Sequence, residues 1–187
     1  MPRDDLVSIS LSNLNPQNHL GQVIGNFTRI ERGESWENWR GYTDCVGRLI
    51  EALDAERLAI AAAFGYAVRN VREHFALSFH VPEGPVSDMT RRIAERDSSP
   101  GPASLETRYV IEDVPFGIVV TALLARIVGV AAPLHEAGIA IISALYGRDF
   151  RRENDLLPEL GIEGMSADEL VRHARDGWKL PSSPLAR

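Results

Sequence analysis

A chain of 187 residues that is 44% hydrophobic and 25% charged has the length and the mix for one well-buried globular core. Its formal net charge of −6, with 20 Lys+Arg interspersed among 26 Asp+Glu, argues against nucleic acid and against an anionic membrane as partner, since both reward a basic face. One cysteine, Cys45, excludes an intrachain disulfide and a cysteine-rich metal site, and no apolar run approaches the ~18 residues of a membrane span.

Residues 6–14 read either as an extended lead-in or as a helical turn. Asn15 before Pro16 reads as a helix start, an asparagine cap followed by proline where no amide donor is required. Leu20, Val23, Ile24, Phe27 and Ile30 then recur at helical spacing and predict a helix over about 16–32, with His19 in its first turn. A polar loop over 33–41 carries Trp36 and Trp39. From Asp44, the positions Val46, Leu49, Ile50, Leu53, Arg57, Ile60 and Phe64 trace one face of a long helix that Gly65 stops. Leu58, Ala59, Ala61 and Ala62 widen its apolar surface, which predicts a central position. Another helix is expected over 68–79, ended by Pro82, Gly84 and Pro85, then a short exposed helix over 87–96 and a loop at 98–102.

The strip Arg108–Asp113 precedes an apolar run from Val114 to Val130, which reads as a buried helix with Pro115 near its start and Gly129 near its end. Pro133 restarts a helix to about Tyr146, and two short helices near 153–160 and 166–175 close the pattern. The expected organisation is a lead-in at 1–14, one all-α domain at 15–177 and a flexible tail at 178–187. No Gly-x-Gly-x-x-Gly turn links a strand to a helix, so the usual βαβ route to a dinucleotide is closed. His74, His80, His135 and His173 share no ligand spacing, and no serine sits in a Gly-x-Ser-x-Gly setting, so neither a metal site nor a serine nucleophile is expected. The start shows no signal peptide, and a cytoplasmic location follows by default.

Asn15-Pro16-Gln17-Asn18-His19 and Arg108-Tyr109-Val110-Ile111-Glu112-Asp113 carry a further signal. Together with the stretches 53–61, 101–105 and 112–117 and with Leu160-Gly161-Ile162, in that order, they resemble the octopine/nopaline (opine) dehydrogenases over roughly residues 6–177. The likeness is to the α-helical second domain of such enzymes, related to 6-phosphogluconate dehydrogenase C-terminal-like domains, and the family's nucleotide-binding half is missing from it. The resemblance implies that His19 handles the proton, that Asp113 orients it and that Arg108 grips a substrate carboxylate. It also implies that NAD(P)H acts only if a nucleotide-binding partner is present, with none bound by the isolated chain. The implied ligand is a small carboxylate, an amino acid or a 2-oxo acid. Two positions depart from the pattern: Leu20 stands where the family usually has proline, and Glu34-Ser35-Trp36-Glu37-Asn38-Trp39 replaces a segment containing Phe and Tyr.

The residue types suit these roles on physical grounds. A carboxylate beside an imidazole fixes its tautomer and stabilises the imidazolium, and an arginine fork matches the two oxygens of a carboxylate. Asn26, two turns beyond His19, could face the same pocket, and Trp36 reads either as a ligand wall or as loop packing. Plainer readings stand beside these: Asp113 as a helix cap ahead of Val114-Pro115, and Arg108 as a salt-bridge partner of Asp113 or Glu112. Three functions fit the chain. It could be the substrate half of a split dehydrogenase, or a redox-free His/Asp acid–base catalyst such as an isomerase, a racemase or an imine-forming enzyme. It could also be a non-catalytic carboxylate-binding module. A helical domain of this kind standing alone exposes an apolar face, which predicts a homodimer.

Overall fold

The computed structural model describes residues 5–176, and its elements are helical: α1 (Leu6–Ser12), α2 (Asn15–Glu31), α3 (Asp44–Ala63), α4 (Val71–Phe79), α5 (Val86–Ala94), α6 (Arg108–Ile111), α7 (Val119–Val128), α8 (Pro133–Tyr146), α9 (Leu156–Leu160) and α10 (Ala167–Asp176). Among the described residues no strand forms, only an isolated bridge between Glu37 and Pro100. The fold is all-α, as the sequence predicts. The tail expected at 178–187 lies outside the described residues.

Within the lead-in, Leu6–Ser12 form a helix. Asp5 accepts the amides of Val7 and Ser8 while Ser8 returns a hydrogen bond to the Asp5 backbone, a reciprocal cap, and Val7 and Leu11 are buried. α2 begins one residue earlier than predicted, and Asn15 is not its cap. Asn13 Oδ1 accepts the Asn15 amide instead, so His19 opens the second turn rather than lying in the first. Asn26 has non-helical dihedrals (φ −127°, ψ 16°) because its side-chain amide donates to the Gln22 carbonyl that the backbone would otherwise use.

α3 is the central element. Its contact with α2 is close because Gly21 and Gly25 present no side chain where Ile50 and Val46 pack. One end of α3 joins α4 and α5 in a cluster of Tyr42, Val46, Ile50, Phe75, Met89 and Ile93, and the other end joins α2, α7 and α8 in the larger cluster. Arg57 does lie on the buried face of α3, although its role there is polar. It is fully enclosed, bonds Asp54 through Nε and Nη2, and donates to the carbonyls of Leu11 and Arg69. Asp54 also accepts the amide of Val71, the first residue of α4.

Two further elements differ from expectation. α4 starts at Val71 rather than 68, because Asn70 and Glu73 form a capping box. α5 is not an exposed helix: Val86, Met89, Thr90 and Ile93 bury one face of it.

Candidate active site

The chain from Thr107 to Val128 runs as an almost continuous helical segment with a wide π turn at Val114–Ile118. Pro115 explains the widening. It has no amide to offer to the turn before it, and its ring crowds that turn, so Val119 bonds back five residues to Val114. Asn154 then takes the Pro115 carbonyl through its side-chain amide at 2.7 Å. Gly117 lies in this turn, and a side chain there would collide with the ring of Pro16. That close approach brings the start of α2 against the π turn.

His19, three residues after Pro16, therefore meets Asp113, four residues before Gly117. The Nδ1 atom lies 2.6 Å from Oδ2, and each side chain is 13% exposed. Asp113 makes no capping hydrogen bond, so the plainer reading of it as a helix cap does not hold. A carboxylate can only accept, so Nδ1 carries the proton, and in the neutral imidazole Nε2 is the bare nitrogen. Tyr109 stacks flat on the imidazole, with ring centroids 3.6 Å apart and planes inclined by 7°. Burial pushes the Tyr109 phenol above its ordinary pKa, with Arg108 pulling the other way and Asp113 adding to the rise. The phenol thus stays neutral.

Arg108, the first residue of α6, projects outward with its side chain 62% exposed and Nε 3.9 Å from Glu112. Its structural partner is thus Glu112 rather than Asp113, and it is loosely held. Asn26 is buried two turns from His19 and donates to Gln22 and Gly41 carbonyls. Trp36 donates its indole N–H to Pro102, and its ring fills the space beside Gly41 and Gly101, tying the 98–102 loop to the loop after α2. Leu20 is buried against Gly138 of α8, so this departure from the family pattern is absorbed by the core.

A second imidazole–carboxylate pair lies deeper. His135 Nδ1 is 2.7 Å from Glu56, and Glu56 also accepts the amides of Leu134 and His135, capping α8 from α3. Gln17 Nε2 stands 3.2 Å from His135 Nε2, which fits donation to a bare nitrogen. Burial, the largest effect, lowers the His135 pKa against the opposing pull of Glu56, and the ring is fully enclosed. This pair serves packing, whereas the His19 pair lies at the edge of the solvent.

The sequence brought His19, Asp113 and Arg108 into view but not Tyr109. The i, i+4 spacing of Tyr109 and Asp113 was the available signal, since it puts both on one helical face. Among the described residues no group of three or more His, Cys, Asp or Glu could hold a metal ion, and no helix is long and apolar enough to cross a membrane.

Comparison with known proteins points the same way. The profile of the family described as NAD/NADP octopine/nopaline dehydrogenase, alpha-helical domain, matches residues 2–146. An opine dehydrogenase of Arthrobacter sp. (strain 1C) is 35% identical over 165 residues, which cover 88% of this chain and 46% of that protein. The protein named ocs of Agrobacterium tumefaciens (strain Ach5) is 28% identical over 173 residues, covering 88% of this chain and 47% of that protein. The chain spans about half the length of these relatives.

Proposed function

Because this chain belongs to the octopine/nopaline dehydrogenase family, matching its α-helical domain, we propose that it is the substrate-binding and acid/base half of an opine dehydrogenase-like oxidoreductase. Such an enzyme condenses an amino acid with a 2-oxo acid and reduces the resulting imine. The observation that carries this reading is the His19–Asp113 pair at 2.6 Å on the edge of the solvent. With the Nδ1–H donated as a hydrogen bond to Asp113, the Nε2 lone pair can take a proton from the incoming ammonium. The imidazolium so formed, balanced by the carboxylate, can return that proton to the hydroxyl that leaves as water. Arg108 is assigned the substrate carboxylate, a role its exposure and loose pairing support, since a guanidinium fork matches two oxygens.

The described residues contain no strand and hence no βαβ turn of the kind that cradles a dinucleotide. Reduction of the imine is assigned to a nucleotide-binding half, on this polypeptide or on another, and the chemistry of the described residues stops at binding and proton transfer. Leu20 and Trp36, two departures from the family pattern that would favour the redox-free alternative if they reshaped the pocket, have packing roles that account for them. A homodimer remains part of the reading, supported by the exposed Ile141 and Leu145 on the outer face of α8.

Calorimetric titration with amino acids and 2-oxo acids tests the substrate class. Saturable binding that weakens about 10- to 100-fold in Arg108→Gln is expected. Binding equal in both proteins, or none to any carboxylate ligand, contradicts the assignment.

A further inference from the structure

We infer that Tyr109 is a positioning residue whose ring holds the plane of the His19 imidazole, so that Nε2 is presented to the substrate as the bare nitrogen. The inference rests on the acid/base reading of His19 and deepens it.

Asp113 fixes one atom of the imidazole. A single hydrogen bond at Nδ1 leaves the ring free to turn about the Nδ1···Oδ2 direction, and turning carries Nε2 off its target. The flat stack at 3.6 Å and 7° removes that freedom, because rotation out of plane drives the imidazole edge into the phenol face. Hydrogen bond and stack act on different coordinates, so together they define where Nε2 points.

Both constraints come from one helical segment. Tyr109 and Asp113 are four residues apart and share a face, so a single placement of the helical segment 108–118 against α2 sets them together. Thr107 holds the start of that face by accepting the Tyr109 amide through its hydroxyl at 3.3 Å. The neighbouring Arg108 side chain points outward, which places the carboxylate fork and the base-orienting ring on successive residues. Among the described residues, Asp113 is the charged group bonded to His19, while Arg108 and Tyr42 are the other groups whose fields reach Tyr109. A neutral phenol is also the useful form. Its electron-rich face favours the imidazolium once formed, in the manner of a cation over an aromatic ring.

The test is nitrogen-15 NMR and ring carbon-13 relaxation of the His19 imidazole in the chain alone, without substrate or nucleotide half, so its failure is distinct from failure of the dehydrogenase reading. In the wild type the result expected is a rigid ring with Nδ1 protonated, and with its ring protons shifted upfield by Tyr109. Tyr109→Phe keeps both signatures, since it keeps the face. Tyr109→Met keeps bulk but has no face: Nδ1 stays protonated on Asp113, while the imidazole gains motion, read as a lowered order parameter of its ring C–H bonds. If Tyr109→Met loses its helical circular dichroism, Tyr109→Leu is read in its place. A methionine or leucine variant whose His19 ring is as rigid as in the wild type overturns the inference, as does a phenylalanine variant that behaves like them. Absence of the upfield shift in the wild type overturns it without any variant.

Discussion

Pro16 against Gly117 sets the distance on which the His19–Asp113 hydrogen bond depends, although neither residue touches a proton. A methyl group on Gly117 would meet a proline ring that has no rotamer to escape into. Gly117→Ala is therefore expected to cost about 1–3 kcal/mol in urea unfolding and to abolish the downfield Nδ1 proton resonance of His19. An alanine variant that keeps both stability and resonance would show that the contact does not set the site. A second prediction concerns His135. Its pKa is lowered from 6.5 by burial, so below about 6.5 the unfolded chain binds a proton that the folded chain does not, and stability falls as pH drops through that window. His74 is lowered in the same direction by partial burial and adds to the slope. His135→Gln should flatten the dependence of the urea midpoint between pH 7.5 and 5.5, and an unchanged slope would refute the role. His19 and Asp113 were legible because each sits in a short run of distinctive residues. Tyr109 was not, because its spacing from Asp113 gives only a shared face, while the stack on His19 depends on how two helices are placed.

At the level of elements, the buried Arg57 shows how a charge can join helices. Its guanidinium ties α3 to the end of α1 and to the segment before α4, and Asp54 balances it while holding the first amide of α4. Arg57→Met leaves Asp54 as an uncompensated buried charge and two carbonyls without a donor. The expected loss is about 3–5 kcal/mol in chemical denaturation, and a near-neutral result would mean that the pair contributes little beyond its desolvation cost. Helix type and order were readable from apolar periodicity, most closely for α3 and α8, where Asp44, Pro133 and the glycines after each mark the ends. The misplaced starts of α2 and α4 share one cause. In both, an asparagine side chain captures a backbone amide and fixes the boundary, at Asn13 and at Asn70, and the apolar pattern is silent about which asparagine does so. The π turn was equally hidden, since Pro115 signals a disturbance but not its geometry.

On the scale of the whole molecule, the outer face of α8 stays uncovered, with Ile141 46% and Leu145 47% exposed. Covering that face by a second copy would remove both side chains from water. Light scattering at micromolar concentration should give twice the chain mass, and Leu145→Glu should halve it; a wild-type monomer would contradict the dimer. The larger question is whether this helical half works with a nucleotide-binding half. The most direct measurement replaces the matching half of the Arthrobacter opine dehydrogenase with this chain and follows loss of nicotinamide absorbance with an amino acid and a 2-oxo acid present. Turnover that needs both substrates and falls about 10²–10⁴-fold in His19→Ala is the predicted result. A chimera that folds and binds nicotinamide yet shows no such turnover, or shows turnover indifferent to His19, would contradict the account.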